Sequence, residues 1–325
     1  GQKTMNTPRT ISWIILTILL TALPACTSSN AETPAPTTSA MIPERESAIP
    51  SDAVKMSPET DPSPPQLFSE EFEPPMPVPG LVNTAGAEDG VFITPDGSTM
   101  YFFFTPDVDV PVEEQILDGV TGLYVSQLDD GRWGKPERII LQEPGKLAMD
   151  GCAFVQDDRM WFCSAREGYT GVHWFTANYQ DGRWDSWRNA DFNPDFLVGE
   201  LHFSADRSRI YFASEMPGGL GDLDIWEASV IDGALQEPVN LAALNTPESE
   251  GWPALNPAED ELWITRNYGI WRSRFVDGAW QEAELIVSPL AGEATIDENG
   301  NLYFVHHYYV DGEMIEADIY VAYRR

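Results

Sequence analysis

Basic residues are scarce in this chain: 19 Lys and Arg stand against 52 Asp and Glu, a formal charge of −33 over 325 residues. That balance excludes a general electrostatic grip on DNA, RNA or anionic lipid headgroups, which needs a positive field. Cysteine occurs three times and never as Cys-x-x-Cys. A Gly-rich phosphate loop, a His-Glu-x-x-His helix and a Gly-x-Ser-x-Gly elbow are all missing, which removes the motif-borne routes to nucleotide, metalloprotease and serine-hydrolase chemistry. Helical periodicity is almost absent, so the folded part is read as all-β.

A single long apolar run is present, ISWIILTILLTALPA at 11–25. At about 1.5 Å per residue it reaches about 22 Å, short of a ~30 Å hydrocarbon core. With Arg9 ahead of it, the run fits a signal-peptide core better than a membrane span. Leu23-Pro24-Ala25-Cys26 resembles a bacterial lipobox. The resemblance implies Met5 as the start, cleavage before Cys26 and lipidation of that thiol. Thr27 in place of Asp then implies the periplasmic side of an outer membrane or the cell surface. An ordinary cleaved signal with Cys26 incidental is the other reading. Loss of Lys3 and Arg9 with the leader leaves 17 basic residues against 52 acidic ones.

Residues 26–71 are rich in Pro, Ser, Thr, Ala and Glu. Such a segment buries too little apolar surface to offset its ordering entropy, so it is read as a flexible tether. Domain boundaries follow: leader 1–25, linker 26–71, folded domain 72–325.

Within that domain one pattern recurs five times: DGVFITPDGSTMYFFF (89–104), DGCAFVQDDRMWFCS (150–164), GELHFSADRSRIYFAS (199–214), EGWPALNPAEDELWIT (250–265) and GEATIDENGNLYFVH (292–306). Each is an inner strand, a turn and a second strand. A third strand follows each, and four of these end in Asp-Gly turns at 130–131, 181–182, 232–233 and 277–278. Asp-Gly between apolar runs is the strongest short hairpin signal. The repeat spans about 40–50 residues, the size of a propeller blade. GLVNTAGAEDG (80–90) matches LAALNTPESEG (241–251), so a strand near 72–83 is expected to complete the last unit and close the ring. The expected fold is a five-bladed β-propeller of four-stranded antiparallel blades.

The phrases TPDGSTMYF, SADRSRIYFAS and PGGLGDLDIW resemble the WD40-like repeat of the TolB kind, often called PD40. The resemblance covers residues 80–325. It implies the propeller fold and an envelope binding role, without the separate N-terminal domain of TolB.

Up-and-down connectivity brings the starts of the inner strands to one face. Asp89, Asp150, Glu200, Glu250 and Glu293 are expected to ring the channel mouth there, with Arg166, Glu215, Arg266, His306 and His307 near the second-strand ends. Four readings follow. The acids are structural and pair with Arg166 and Arg266. The mouth holds a cation such as Ca²⁺. It binds a peptide or saccharide, with His202, Trp252 and Tyr268 as contact surfaces. Or Asp89, Asp150 and Glu200 act as base, modulator and acid, an order similar to that of five-bladed glycosidases. His306 and His307 point to opposite sheet faces, so one metal does not take both. Cys152 and Cys163 flank a hairpin turning at Asp157-Asp158. They form either a cross-strand disulfide or two buried thiols.

The primary reading is a monomeric, lipid-anchored, non-catalytic binding or scaffold module without a cofactor. Its partner would be an envelope protein, peptide or saccharide. The alternative is a propeller glycoside hydrolase.

Overall fold

A computed structural model describes residues 43–190, 192 and 196–325; the leader and Cys26 lie outside them. Among the described residues the chain is all-β. Helix is confined to a 3₁₀ turn at Arg45–Ser47 and one α-turn at Val112–Gln115 inside the acidic insertion. No helix there is long and apolar enough to cross a membrane.

The strands pair into five antiparallel meanders. Unit 1 runs Ala87–Ile93, Thr99–Thr105, Gly122–Asp129 and Glu137–Arg138. Unit 2 runs Ala148–Gln156, Arg159–Arg166, Val172–Gln180 and Arg183–Asn189. Unit 3 runs Leu201–Phe203, Arg209–Ser214, Asp224–Ile231 and Val239–Asn240. Unit 4 runs Glu250–Leu255, Glu261–Arg266, Gly269–Val276 and Glu284–Ser288. Unit 5 runs Ala291–Ile296, Leu302–Val310 and Glu313–Ala322, and Met76–Pro77 pairs with its last strand at Val321 and Tyr320.

The second strands read as continuous apolar runs because both their faces are covered. Thr99–Thr105 (TMYFFFT) is buried at six of seven positions, and Arg209–Ser214 (RIYFAS) at five of six. A strand covered on one side would alternate instead. The covering comes from neighbouring units. One core joins Phe92, Phe154 and Phe203 of units 1, 2 and 3. Others join Ala213 to Ile264 (units 3 and 4), Trp263 to Phe304 (units 4 and 5), and Val305 to Phe102 (units 5 and 1). The chain therefore has a β-propeller fold. The Asp-Gly turns adopt the positive φ their hairpins need, as at Asp181 (51°) and Gly182 (80°).

Residues 43–71 depart from the expected flexible tether. They form a strap docked on units 1, 4 and 5. Arg45 is 3% exposed and donates to Leu81 O and Val82 O, both at 2.7 Å. Lys55 pairs with Glu316 and Asp318, Met56 is buried, and Asp61 meets His306. Gln66–Leu67 adds a strand to the edge of Glu284–Ser288. Composition misses this docking because the strap has no core of its own. It is held by buried charge pairs and by backbone bonds to a sheet edge.

Candidate functional site

The inner strands of four units carry a β-bulge. Register slips between Asp89 and Phe92, Gly151 and Phe154, Gly251 and Ala254, and Gly292 and Thr295. At each slip one residue takes positive φ: Gly90 (59°), Cys152 (51°), Trp252 (48°) and Glu293 (59°). The left-handed conformation costs a non-glycine residue about 1–2 kcal/mol and persists where the surroundings impose it. A bulge re-aims the side chain it carries. Here the four bulge residues and Glu200 of unit 3 all line one pocket of about 60 Å³, with Trp174 and His202 in its wall.

The five predicted acids do not form one ring; they divide into two sets. Asp150 and Glu250 stand two residues before a bulge and are fully buried. Asp150 accepts from Arg166 Nη2 at 2.8 Å and Ser164 Oγ at 2.6 Å. Glu250 accepts from Arg266 Nε and Thr246 Oγ1, both at 2.6 Å. The guanidinium groups are covered by Trp187 (4.2 Å) and Trp271 (4.5 Å). In unit 1 this place belongs to Glu88, not Asp89. Glu88 accepts from Thr84 Oγ1 at 2.7 Å and Arg45 Nη1 at 3.2 Å. The matching phrases NTAGAE and NTPESE thus encode one device, a threonine bonding a glutamate four residues on. Aligning them on the glycine, as sequence reading does, shifts unit 1 by one residue.

The second set faces the pocket region. Donor atoms of Asp89, Glu293 and His307 lie within 4.8 Å of one another. The Gly90 N–H bonds Glu293 Oε2 at 2.6 Å and Asp89 Oδ1 at 3.1 Å. His307 Nε2 stands 3.7 Å from Asp89 Oδ1, while His306 turns the other way to Asp61 at 2.7 Å. Burial pushes Glu293 well above the usual carboxylate range, and adjacent Asp89 adds to the rise. Burial also opposes charge on Asp89, but His307 and the Glu293 carboxyl bring it below its ordinary value. Glu200 is 8% exposed; burial raises it, and among the described residues its Oε2 has no hydrogen-bond partner. Burial drives His202 down to about 3. Tyr268 packs its ring edge against His307 at 5.8 Å and shares a hydroxyl contact with Tyr309 at 3.2 Å.

Of the residues singled out in the sequence, Glu200, His202, Trp252 and Glu293 meet in the pocket lining, and Asp89 stands against Glu293. Asp150, Glu250, Arg166 and Arg266 serve the buried ion pairs behind it, so the set Asp89, Asp150, Glu200 is not assembled. Sequence reading missed Arg45, Asp61, Glu88 and Trp174. The threonine-to-glutamate spacing was the available signal for Glu88. Cys152 and Cys163 form a disulfide with Cα atoms 5.4 Å apart. The turn pairs Gln156 with Arg159, and the bulge then sets Gly151, not Cys152, opposite Cys163.

No family model and no curated protein matches the sequence. The WD40-like repeat accordingly stands as a likeness of sequence phrases. Among solved structures, a gluconolactonase from Xanthomonas campestris is similar at 12% identity and a TM-score of 0.46, over 84% of this chain and 98% of that one. An alpha-L-arabinofuranosidase from Lactobacillus brevis gives 13% identity and 0.48, over 73% and 90%. A putative TolB from Agrobacterium tumefaciens gives 15% identity and 0.42, over 83% and 88%.

Proposed function

We propose that the protein is a closed, five-bladed propeller that hydrolyses a small polar substrate of the saccharide class at its axial pocket. One contrast carries this reading. The repeat supplies its own control: where acids are structural, at Glu88, Asp150 and Glu250, each is matched to an arginine and a hydroxyl. Among the described residues Asp89, Glu200 and Glu293 have no arginine partner; Glu200 and Glu293 line a pocket edged by Trp174 and Trp252, and Asp89 shares the Gly90 N–H with Glu293.

In this reading Glu200 is the proton donor. Burial shifts its pKa upward, the direction a general acid needs. The wall at Glu293, backed by Asp89 and His307, holds the attacking water. The water oxygen bonds to the acetal carbon as the bond to the leaving oxygen breaks. Glu200 gives its proton to that oxygen, and a proton of the water passes to the wall. A volume of about 60 Å³ holds roughly two waters. The reacting bond thus enters while the sugar ring stays at the mouth, against the indoles.

Assay of wild type and Glu200→Gln on aryl glycosides, oligosaccharides and lactones tests it. Turnover lost in the variant supports the hydrolase. Saccharide binding without turnover would replace it with a non-catalytic binding module, the reading the small pocket also serves.

Export with lipidation of Cys26, and action as a monomer on envelope saccharide, belong to the same proposal. The docked strap leaves residues 26–42 between the anchor and the domain. Cys26→Ser protein that stays membrane-bound would overturn the anchor.

A further inference from the structure

We infer that Asp89, Glu293 and His307 form a site for one divalent transition-metal ion of the zinc class. This deepens the hydrolase reading by naming what the cluster beside the pocket holds, and it rests on that reading only for the ion's role.

The donor set comes first. Two carboxylates and an imidazole converge from three places: the inner strand of unit 1, the bulge of unit 5 and the second strand of unit 5. Their donor atoms lie within 4.8 Å of one another. Ligands at about 2.0–2.2 Å from one ion stand at most about 4.4 Å apart, so small side-chain rotations suffice. The Gly90 N–H holds Glu293 Oε2 at 2.6 Å, which leaves Oε1 for the ion.

An independent observation comes from Glu200. Glu200 is 8% exposed, lines the pocket that Glu293 also lines, and among the described residues its Oε2 has no hydrogen-bond partner. A buried oxygen without a donor carries an uncompensated desolvation cost. No arginine is offered to it, unlike Asp150 or Glu250. Glu293 lines the same pocket, so an ion held there that carries water would present O–H donors to this oxygen. The pocket, about 60 Å³, has room for an ion and a water.

The chemistry selects the metal class. Calcium prefers six to eight oxygens. A site of one imidazole and two carboxylates with an open position suits zinc or manganese. In the hydrolase such an ion polarises the substrate oxygen or the attacking water.

The test uses the full chain, stripped with EDTA, dialysed and titrated with Zn²⁺, Mn²⁺ and Ca²⁺ by isothermal calorimetry. One Zn²⁺ or Mn²⁺ per chain is expected, with Ca²⁺ weaker. His307→Gln and Asp89→Asn should each weaken binding at least about tenfold, since even indirect ligand partners contribute that much. If one variant misfolds by circular dichroism, the other supplies the result. Absence of Zn²⁺ and Mn²⁺ binding, a preference for Ca²⁺, or affinity unchanged in both variants would overturn the site. The two proposals separate cleanly. Metal bound without turnover sinks the hydrolase alone, whereas turnover that survives EDTA without any metal binding sinks the metal site alone.

Discussion

Arg45 and Glu88 form a buried ion pair, Nη1 to Oε1 at 3.2 Å, across 43 residues of chain. Their side chains are 2% and 0% exposed. Units 2 and 4 find the equivalent arginine within themselves, at Arg166 and Arg266. The second strand of unit 1 ends in Phe104-Thr105, and the strap supplies the cation instead. Burial pushes Glu88 upward, and the arginine and Thr84 counter that rise.

Arg45→Met should therefore strand Glu88 in the core. Breaking a buried pair from one side costs about 3–5 kcal/mol. Urea unfolding measures it, and the double variant with Glu88→Gln should recover much of the loss. A single-variant cost under about 1 kcal/mol would mean the strap is not integral to unit 1.

His202 should give the fold an acid-sensitive increment. It occupies the place of Phe92 and Phe154 in the neighbouring units, paired to Tyr211 as they are to Tyr101 and Trp161. Burial holds it down to about 3, whereas the unfolded chain takes a proton near 6.5. The increment is full above about pH 6.5 and is lost as pH falls toward 3. His202→Phe should flatten that slope by on the order of 2–4 kcal/mol at pH 3. Parallel pH–stability curves for the two proteins would contradict it.

Glu200→Gln should separate stability from activity. The amide removes a carboxyl whose ionised form burial disfavours, so melting should stay level or rise. Loss of a general acid lowers turnover by about 10²–10⁴. A variant that melts lower and retains turnover would assign Glu200 a structural role.

Reducing Cys152–Cys163 releases a loop of sequence separation 11. Closing a loop of that size is worth about 3 kcal/mol by chain entropy. Dithiothreitol should lower the urea midpoint of wild type and leave Cys163→Ser unmoved. Coincident curves for reduced and oxidised wild type would deny the bridge any role in stability.

The strands and turns were readable because their signals are local. The inner and second strands carry apolar runs, and the Asp-Gly turns accept positive φ with little strain. The site was readable only in part. Glu200, Trp252 and Glu293 carried a legible acid-or-aromatic pattern at the inner strands. Asp150 and Glu250 carried the same pattern and went to arginines instead. A bulge of one residue decides between these fates, and no residue type announces it: Gly90, Cys152, Trp252 and Glu293 share the position and nothing else.

By itself the sequence determined the all-β class, the repeat and the hairpin register at each tight turn, since period and turn chemistry act over a few residues. Tertiary structure alone decided which acids are neutralised and which face the pocket. It also decided that residues 43–71 dock. Both outcomes depend on charge partners 16 to 263 residues apart, such as Asp150 with Arg166 and Lys55 with Asp318, and those become neighbours only once the strands have paired and the strap has docked.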